Sequence, residues 1–220
     1  MKRREFLGTM KASASLLAVG GGLVSLGCKG DEDLLGPGET DGPPDEIVLP
    51  GRVRLPVPDT VHPDGFFLAA EQGTAPNAVG DPFPTWMYRG SLPGPTLRVR
   101  SGERARVVLQ NDLPEETITH WHGLDVPEAA DGHPRLAVSP GESYVYDFTV
   151  RDRAGTYWYH PHPHGRTGIQ TYRGLAGFLI VDDEEDGALG LPSGNREIPL
   201  VIQDKRLDGT GAPVYQPFGP

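Results

Sequence analysis

An all-β, antiparallel sandwich is the fold class this sequence predicts, and three observations predict it. Gly and Pro number 30 and 23 among 220 residues, roughly twice their usual combined share of about 12%, which disfavours long helices. They lie between apolar runs rather than in a repeat, which argues against a collagen-like chain and against wholesale disorder. The apolar runs are short and bounded by turn signals, the cadence of a sandwich whose sheets each keep one solvated face.

Taken in order, residues 1–28 read as an export leader. Lys2, Arg3 and Arg4 open it, Glu5, Phe6 and Leu7 follow, and an uncharged Ala/Ser/Leu/Gly stretch runs from Ala12 to Gly27. The stretch is short and glycine-rich for a membrane span. The run from Arg3 to Leu7 resembles the twin-arginine signal of bacteria, a receptor-read address for folded cargo. Cys28 closes the stretch after Ser25, Leu26 and Gly27, which resembles a lipoprotein signal whose cysteine becomes the lipidated first residue. Gly27 fits that pattern, whereas Ser25 stands where it usually carries Leu, and an ordinary cleavage site is the alternative. Residues 29–50 read as an acidic flexible linker, because 29–46 hold seven acids against one base with Gly and Pro throughout.

From residue 51 to 185 the chain reads as one sandwich domain. Strands are expected at 53–57, 66–71, 85–88, 96–100, 105–110, 142–150, 156–160 and 175–181. Pro-Gly-Pro, Ser-Gly and Ser-Pro-Gly turn signals separate them. After an acidic run at 182–186 the character changes. Residues 186–220 read as an interdomain linker and the first strand or two, beginning at 198–203, of a second domain that the sequence does not continue.

Charge and cysteine count remove several functions. The formal charge of -10 and the absence of a basic stripe make nucleic acid a poor partner. A single Cys excludes an intrachain disulfide and any Cys-rich zinc or iron–sulfur site, leaving seven His as the soft-metal ligands.

Five of those His fall in two motifs, His120-Trp121-His122-Gly123 and His160-Pro161-His162-Pro163-His164-Gly165. In an extended chain residues i and i+2 point the same way, so each His-x-His unit offers two imidazoles on one side of a strand end. Sandwich topology can bring two such units together. An all-imidazole set suits copper, zinc, iron or nickel, and neither unit contains a carboxylate that would suggest a facial iron triad. His62 and His133 stand beside Pro in loops, where a lone His is seldom a ligand.

These motifs, with Thr156-Tyr157-Trp158-Tyr159 before the second and the run from Gly168 to Gly177 after it, resemble the first domain of the multicopper oxidases. The resemblance is nearest to the bacterial branch of cuprous oxidases, bilirubin oxidases and spore-coat laccases. It extends from about residue 52 to 206, taking in Leu92-Pro93-Gly94-Pro95-Thr96 and a run from Val201 to Arg206 that is similar to the opening of the family's second domain. It implies a cupredoxin-like Greek-key β-sandwich followed by an incomplete second cupredoxin domain. In that family a type 1 copper passes electrons from a substrate to a trinuclear copper cluster that reduces O2 to water. By the resemblance His120 matches a type 2 ligand, and His122, His160 and His162 match type 3 ligands. His164 matches none. Asp131, in Ala130-Asp131-Gly132, matches an acidic residue near the cluster, where a carboxylate could relay the protons that O2 reduction consumes. A turn-forming Asp is the alternative reading, and Asp125 is the rival carboxylate.

The sequence also departs from the family. It has no His-Cys-His motif, no His after His164, and Cys28 lies ahead of the linker. The chain is thus expected to carry half of the trinuclear ligands and no type 1 site, as the N-terminal part of a longer oxidase that does not turn over alone. The missing C-terminal domains, O2 and a small-molecule or metal-ion electron donor are its expected partners, together with a membrane if Cys28 carries a lipid. Phenols, bilirubin-like pigments and cuprous ion all stay open as donors, and the expected location is periplasmic or extracytoplasmic. Two rival readings are a periplasmic copper-binding or copper-tolerance protein without turnover, and a metal-free cupredoxin scaffold that serves interactions.

Overall fold

Alternation of apolar and polar residues decides which face of each strand is buried. In the computed structural model, which describes residues 57–76, 81–209 and 211–216, the alternation is clear in strand β5, Arg104–Asn111. There Ala105, Val107, Leu109 and Asn111 point inward and their neighbours outward. Strand β2, Asp64–Ala75, buries Phe66, Leu68 and Ala70 in the same way, and β7, Ser143–Thr149, buries Tyr146 and Phe148. The remaining strands are β1 (Thr60–Val61), β3 (Phe83–Tyr88), β4 (Gly94–Arg100), β6 (Thr119–His122), β8 (Gly155–Pro161) and β9 (Gly177–Asp182). The leader, the linker and the strand expected at 53–57, apart from Val57, lie outside the described residues.

Nine strands among the described residues form two sheets, ordered β1-β4-β9-β8-β6 and β3-β2-β5-β7. Their inner faces enclose one core that includes Leu68, Leu97, Leu109, Trp121, Tyr146, Tyr159 and Leu179. The fold class is the expected all-β sandwich, but its sheets are mixed rather than purely antiparallel. β4 runs parallel to β1 and β9, and β2 runs parallel to β5. The reason is connectivity: from β3 to β8 each successive strand crosses to the opposite sheet. Neighbours within a sheet are therefore often not consecutive, and their relative direction is free to be parallel.

A further expectation is corrected by the structure. Residues 198–203 do not form a strand; Ile198, Leu200, Val201 and Ile202 are exposed, Ile202 by 90%. A strand there lacks a neighbour among the described residues to complete its hydrogen bonds. In addition, a short helix α1, Thr167–Arg173, follows the second His motif. A second single-turn helix α2, Glu184–Gly187, starts at Asp183, whose side chain accepts the Asp186 N–H.

Candidate metal centre

Strands β6 and β8 are antiparallel neighbours at one edge of the five-stranded sheet, with His120 opposite His160 and His122 opposite Trp158. Registry between two strands is what brings two motifs forty residues apart onto one surface. One ring nitrogen from each of His120, His122 and His160 lies within 4.8 Å of the other two. Closest are His122 Nδ1 and His160 Nε2, 3.1 Å apart. Two imidazole nitrogens each about 2.0–2.1 Å from a single ion stand that far apart at an angle of about 100°, so the spacing fits shared coordination. His162, beyond the last rung of the ladder, adds a fourth ring at 5.1 Å from that of His120 and 6.2 Å from that of His160, centroid to centroid.

The nitrogen each ring presents follows from its other hydrogen bond. His120 Nδ1 donates to the Asp131 carbonyl at 2.7 Å, which turns Nε2 outward with its lone pair. His160 Nδ1 donates to the Pro161 carbonyl at 2.9 Å, again freeing Nε2. Burial pushes the His160 pKa down to about 4, outweighing the Pro161 carbonyl, which favours the charged form. His162 is also lowered, first by burial and then by the nearby His120. Its Nδ1 is buried without a well-formed hydrogen bond, although the Gly132 backbone is near enough to favour the protonated ring slightly. Neutral imidazoles with convergent lone pairs are what a metal ion requires.

Asp131 stands where it can act on this cluster. Besides its carbonyl contact, its Oδ1 lies 3.2 Å from His120 Nδ1. The loop reaches this close because the next residue is glycine. Gly132 has φ +73°, and a Cβ there would fall 2.0 Å from the Thr119 carbonyl oxygen. Asp131 also caps a 3-10 turn, Glu128–Ala130, through its N–H to the Glu128 carbonyl. Asp131 therefore takes part in a turn and also lies beside His120. Asp125 is exposed, and its backbone N–H bonds the Asp152 carboxylate.

The other histidines are placed elsewhere. His62 pairs with Glu103 at 3.2 Å, His133 Nδ1 accepts the Arg135 N–H, and His164 is exposed. Two residues near the cluster have roles that the sequence did not signal. Trp158, quoted only as a flanking aromatic, lays its ring 4.2 Å from that of His160 and 5.0 Å from that of His122. Thr119 holds β6 in place: its hydroxyl bonds Tyr88 Oη at 2.9 Å and its N–H donates to Tyr146 Oη at 2.8 Å. Burial raises the pKa of both phenols, so they stay neutral partners.

A family model described as multicopper oxidase matches residues 69–186, the stretch that holds both His motifs and most of the sandwich. The chain belongs to the multicopper oxidase family. Membership explains the two-sheet sandwich as a cupredoxin-like domain and selects copper from the metals that an all-imidazole set accepts. A multicopper oxidase of Staphylococcus aureus is 36% identical over 160 residues, covering 73% of this chain and 36% of the relative. The cell division protein FtsP of Escherichia coli is 34% identical over 170 residues, covering 75% and 36%. Among solved structures, the McoA multicopper oxidase of Aquifex aeolicus matches with a TM-score of 0.67 and 41% identity over 75% of this chain and 38% of that one. The laccase-like oxidase CueO of an Ochrobactrum species gives 0.67 and 34% over 74% and 38%. The chain therefore spans little more than a third of the length of the relatives it matches.

Proposed function

We propose that this chain is the N-terminal copper-binding part of an exported oxidase that couples one-electron oxidation of a substrate to four-electron reduction of O2 to water. The observation that carries the reading is the 3.1 Å approach of His122 Nδ1 to His160 Nε2, with a His120 nitrogen within 4.8 Å. Copper held there would supply redox chemistry in single-electron steps. On this reading His120 serves the type 2 site through Nε2, while His122, His160 and His162 serve the type 3 pair, His122 through Nδ1. The Asp131 carboxylate, 3.2 Å from His120 Nδ1, orients that ring and relays protons toward the cluster. Trp158 covers one side of the His122 and His160 rings and limits water there.

The type 1 site and the other trinuclear ligands would come from residues outside the present sequence, with 51–185 as the first cupredoxin domain and 186–220 as the linker and start of the second. The exposed Ile198, Leu200, Val201 and Ile202 support that division, as does the share of each relative that the chain spans. Electron donors of the phenolic, bilirubin-like and cuprous classes all remain compatible. Residues 1–28 supply a twin-arginine export signal, with Cys28 as a lipid anchor, and the mature protein works outside the cytoplasm. No helix among the described residues is long and apolar enough to cross a membrane.

A second reading is favoured by relatives named cell division protein FtsP, at 34–38% identity: a cupredoxin domain used for interaction rather than turnover. A copper-binding protein without turnover lies between the two. Copper titration of the chain, read by metal analysis after gel filtration and by electron paramagnetic resonance, separates the copper readings from the interaction role. At least one copper retained per chain, in a nitrogen-rich signal, is expected; less than one rejects both copper readings and leaves the interaction role.

A further inference from the structure

Gln170 has no exposed surface, yet it is polar and sits on α1, the helix that follows the second His motif. All of its amide hydrogens are used. Nε2 donates to Glu115 Oε1 at 3.0 Å and to the Glu116 carbonyl at 2.9 Å, and Oε1 accepts the Thr117 hydroxyl at 2.8 Å. Arg166 adds a bond from Nη1 to Glu115 Oε2 at 2.8 Å. Every one of these partners belongs to residues 115–117, the segment that leads directly into β6 and hence to His120 and His122.

His162 is the ligand candidate least supported by the sheet. The β6–β8 ladder ends at Thr119 and Pro161, and past it a single backbone bond, His162 N–H to the Ile118 carbonyl at 2.8 Å, continues the pairing. No well-formed hydrogen bond orients its ring through Nδ1. Its place must therefore be set by backbone on either side, and on the C-terminal side that backbone runs through 163–166 into α1.

We propose that Gln170 is a positioning residue for the histidine cluster: its amide clamps the helix after His162 to the segment before His120, and so sets where His162 stands relative to the other three rings. The inference rests on the copper-site reading above and deepens it. Removing the amide strands the buried Thr117 hydroxyl and takes a donor from the part-buried Glu116 carbonyl. The helix then loses its registry with residues 115–117, and His162 moves with it. Outer partners of metal ligands typically cost 10–100-fold in metal affinity when lost; Gln170 acts through backbone, so a loss of about tenfold is expected.

The test compares the parent chain with Gln170→Ala, Thr117→Val and Val99→Ala. Val99 is a core residue on β4, two strands from β8 in the same sheet, and serves to separate general destabilisation from positioning. Circular dichroism checks folding, copper titration gives affinity, the paramagnetic resonance spectrum reports the coordination, and amide hydrogen exchange at His162 reads the metal-free chain. Gln170→Ala should lower copper affinity about tenfold, alter the copper spectrum and speed His162 exchange, while Val99→Ala lowers only the melting temperature. Thr117→Val removes one bond and keeps the shape, so it should show the same changes to a smaller extent, and it decides the matter if Gln170→Ala does not fold. Parent-like affinity, spectrum and His162 exchange in a folded variant overturn the proposal, as does an equal effect from Val99→Ala. Should the parent take up no copper, the functional reading falls by itself, and the His162 exchange rate alone then upholds or overturns the clamp.

Discussion

At the scale of single residues, the sequence marks which side chains gather but not how each is turned. The i, i+2 spacing puts His120 with His122 and His160 with His162 on common faces. Which nitrogen His120 and His160 offer depends on carbonyls at Asp131 and Pro161, and no spacing rule locates those. The same limit explains Gln170, whose partners lie more than fifty residues away, and Trp158, whose ring contact with His160 depends on strand register. The four histidines should not be equivalent to their neighbour His164. His122→Ala and His160→Ala should each weaken copper binding by at least about tenfold, as loss of a direct ligand exceeds loss of an outer partner. His164→Ala should bind as the parent does. Equal retention of copper by all three variants in a titration would remove the assigned pair from the site.

At the scale of elements, most strand positions were legible because burial alternates with period two, as in β5 and β7, whereas β1 and the short β6 were not among the expected strands. The direction of neighbouring strands was not, since it is decided by sheet-to-sheet crossings that leave no local pattern. The loop after β6 shows how a turn signal can hide a constraint. Ala130-Asp131-Gly132 reads as an ordinary turn, yet Gly132 is where this loop meets the Thr119 carbonyl. Gly132→Ala combines a positive φ with backbone overlap, so it should cost about 1–3 kcal/mol of stability or more and move Asp131 away from His120. A lower melting temperature together with weaker copper uptake is the expected outcome; an unchanged pair of values would mean that the loop is not held against β6.

At the scale of the whole molecule, acid sensitivity follows from carboxylates held in their charged form. The Arg104 guanidinium lowers the pKa of Asp147, the Ala154 and Asp186 N–H groups lower that of Asp183, and the Arg100 N–H, followed by His62, lowers that of Glu103. Each folded-state pKa lies below its unfolded value, so the stability they contribute is present above about pH 4 and is lost as the pH falls through the folded values. Thermal melts of the metal-free chain should show the midpoint dropping as pH is lowered below about 4. Asp147→Asn should make that drop shallower. Asp147 and Glu103 are exposed, so high salt should weaken their share of the effect as well.

The sequence by itself determined the sandwich class, the acidic charge, the two His-x-His motifs and the candidates they contain, because composition, period-two patterning and short motifs are local properties of the chain. Only the tertiary structure decided that the sheets are mixed, that 198–203 is exposed coil, and that β6 and β8 are neighbours in the register that sets His120 opposite His160. Those outcomes depend on which distant segments meet. Pairing of backbone groups and burial of side chains select that meeting from the whole chain at once, and no window of sequence contains it.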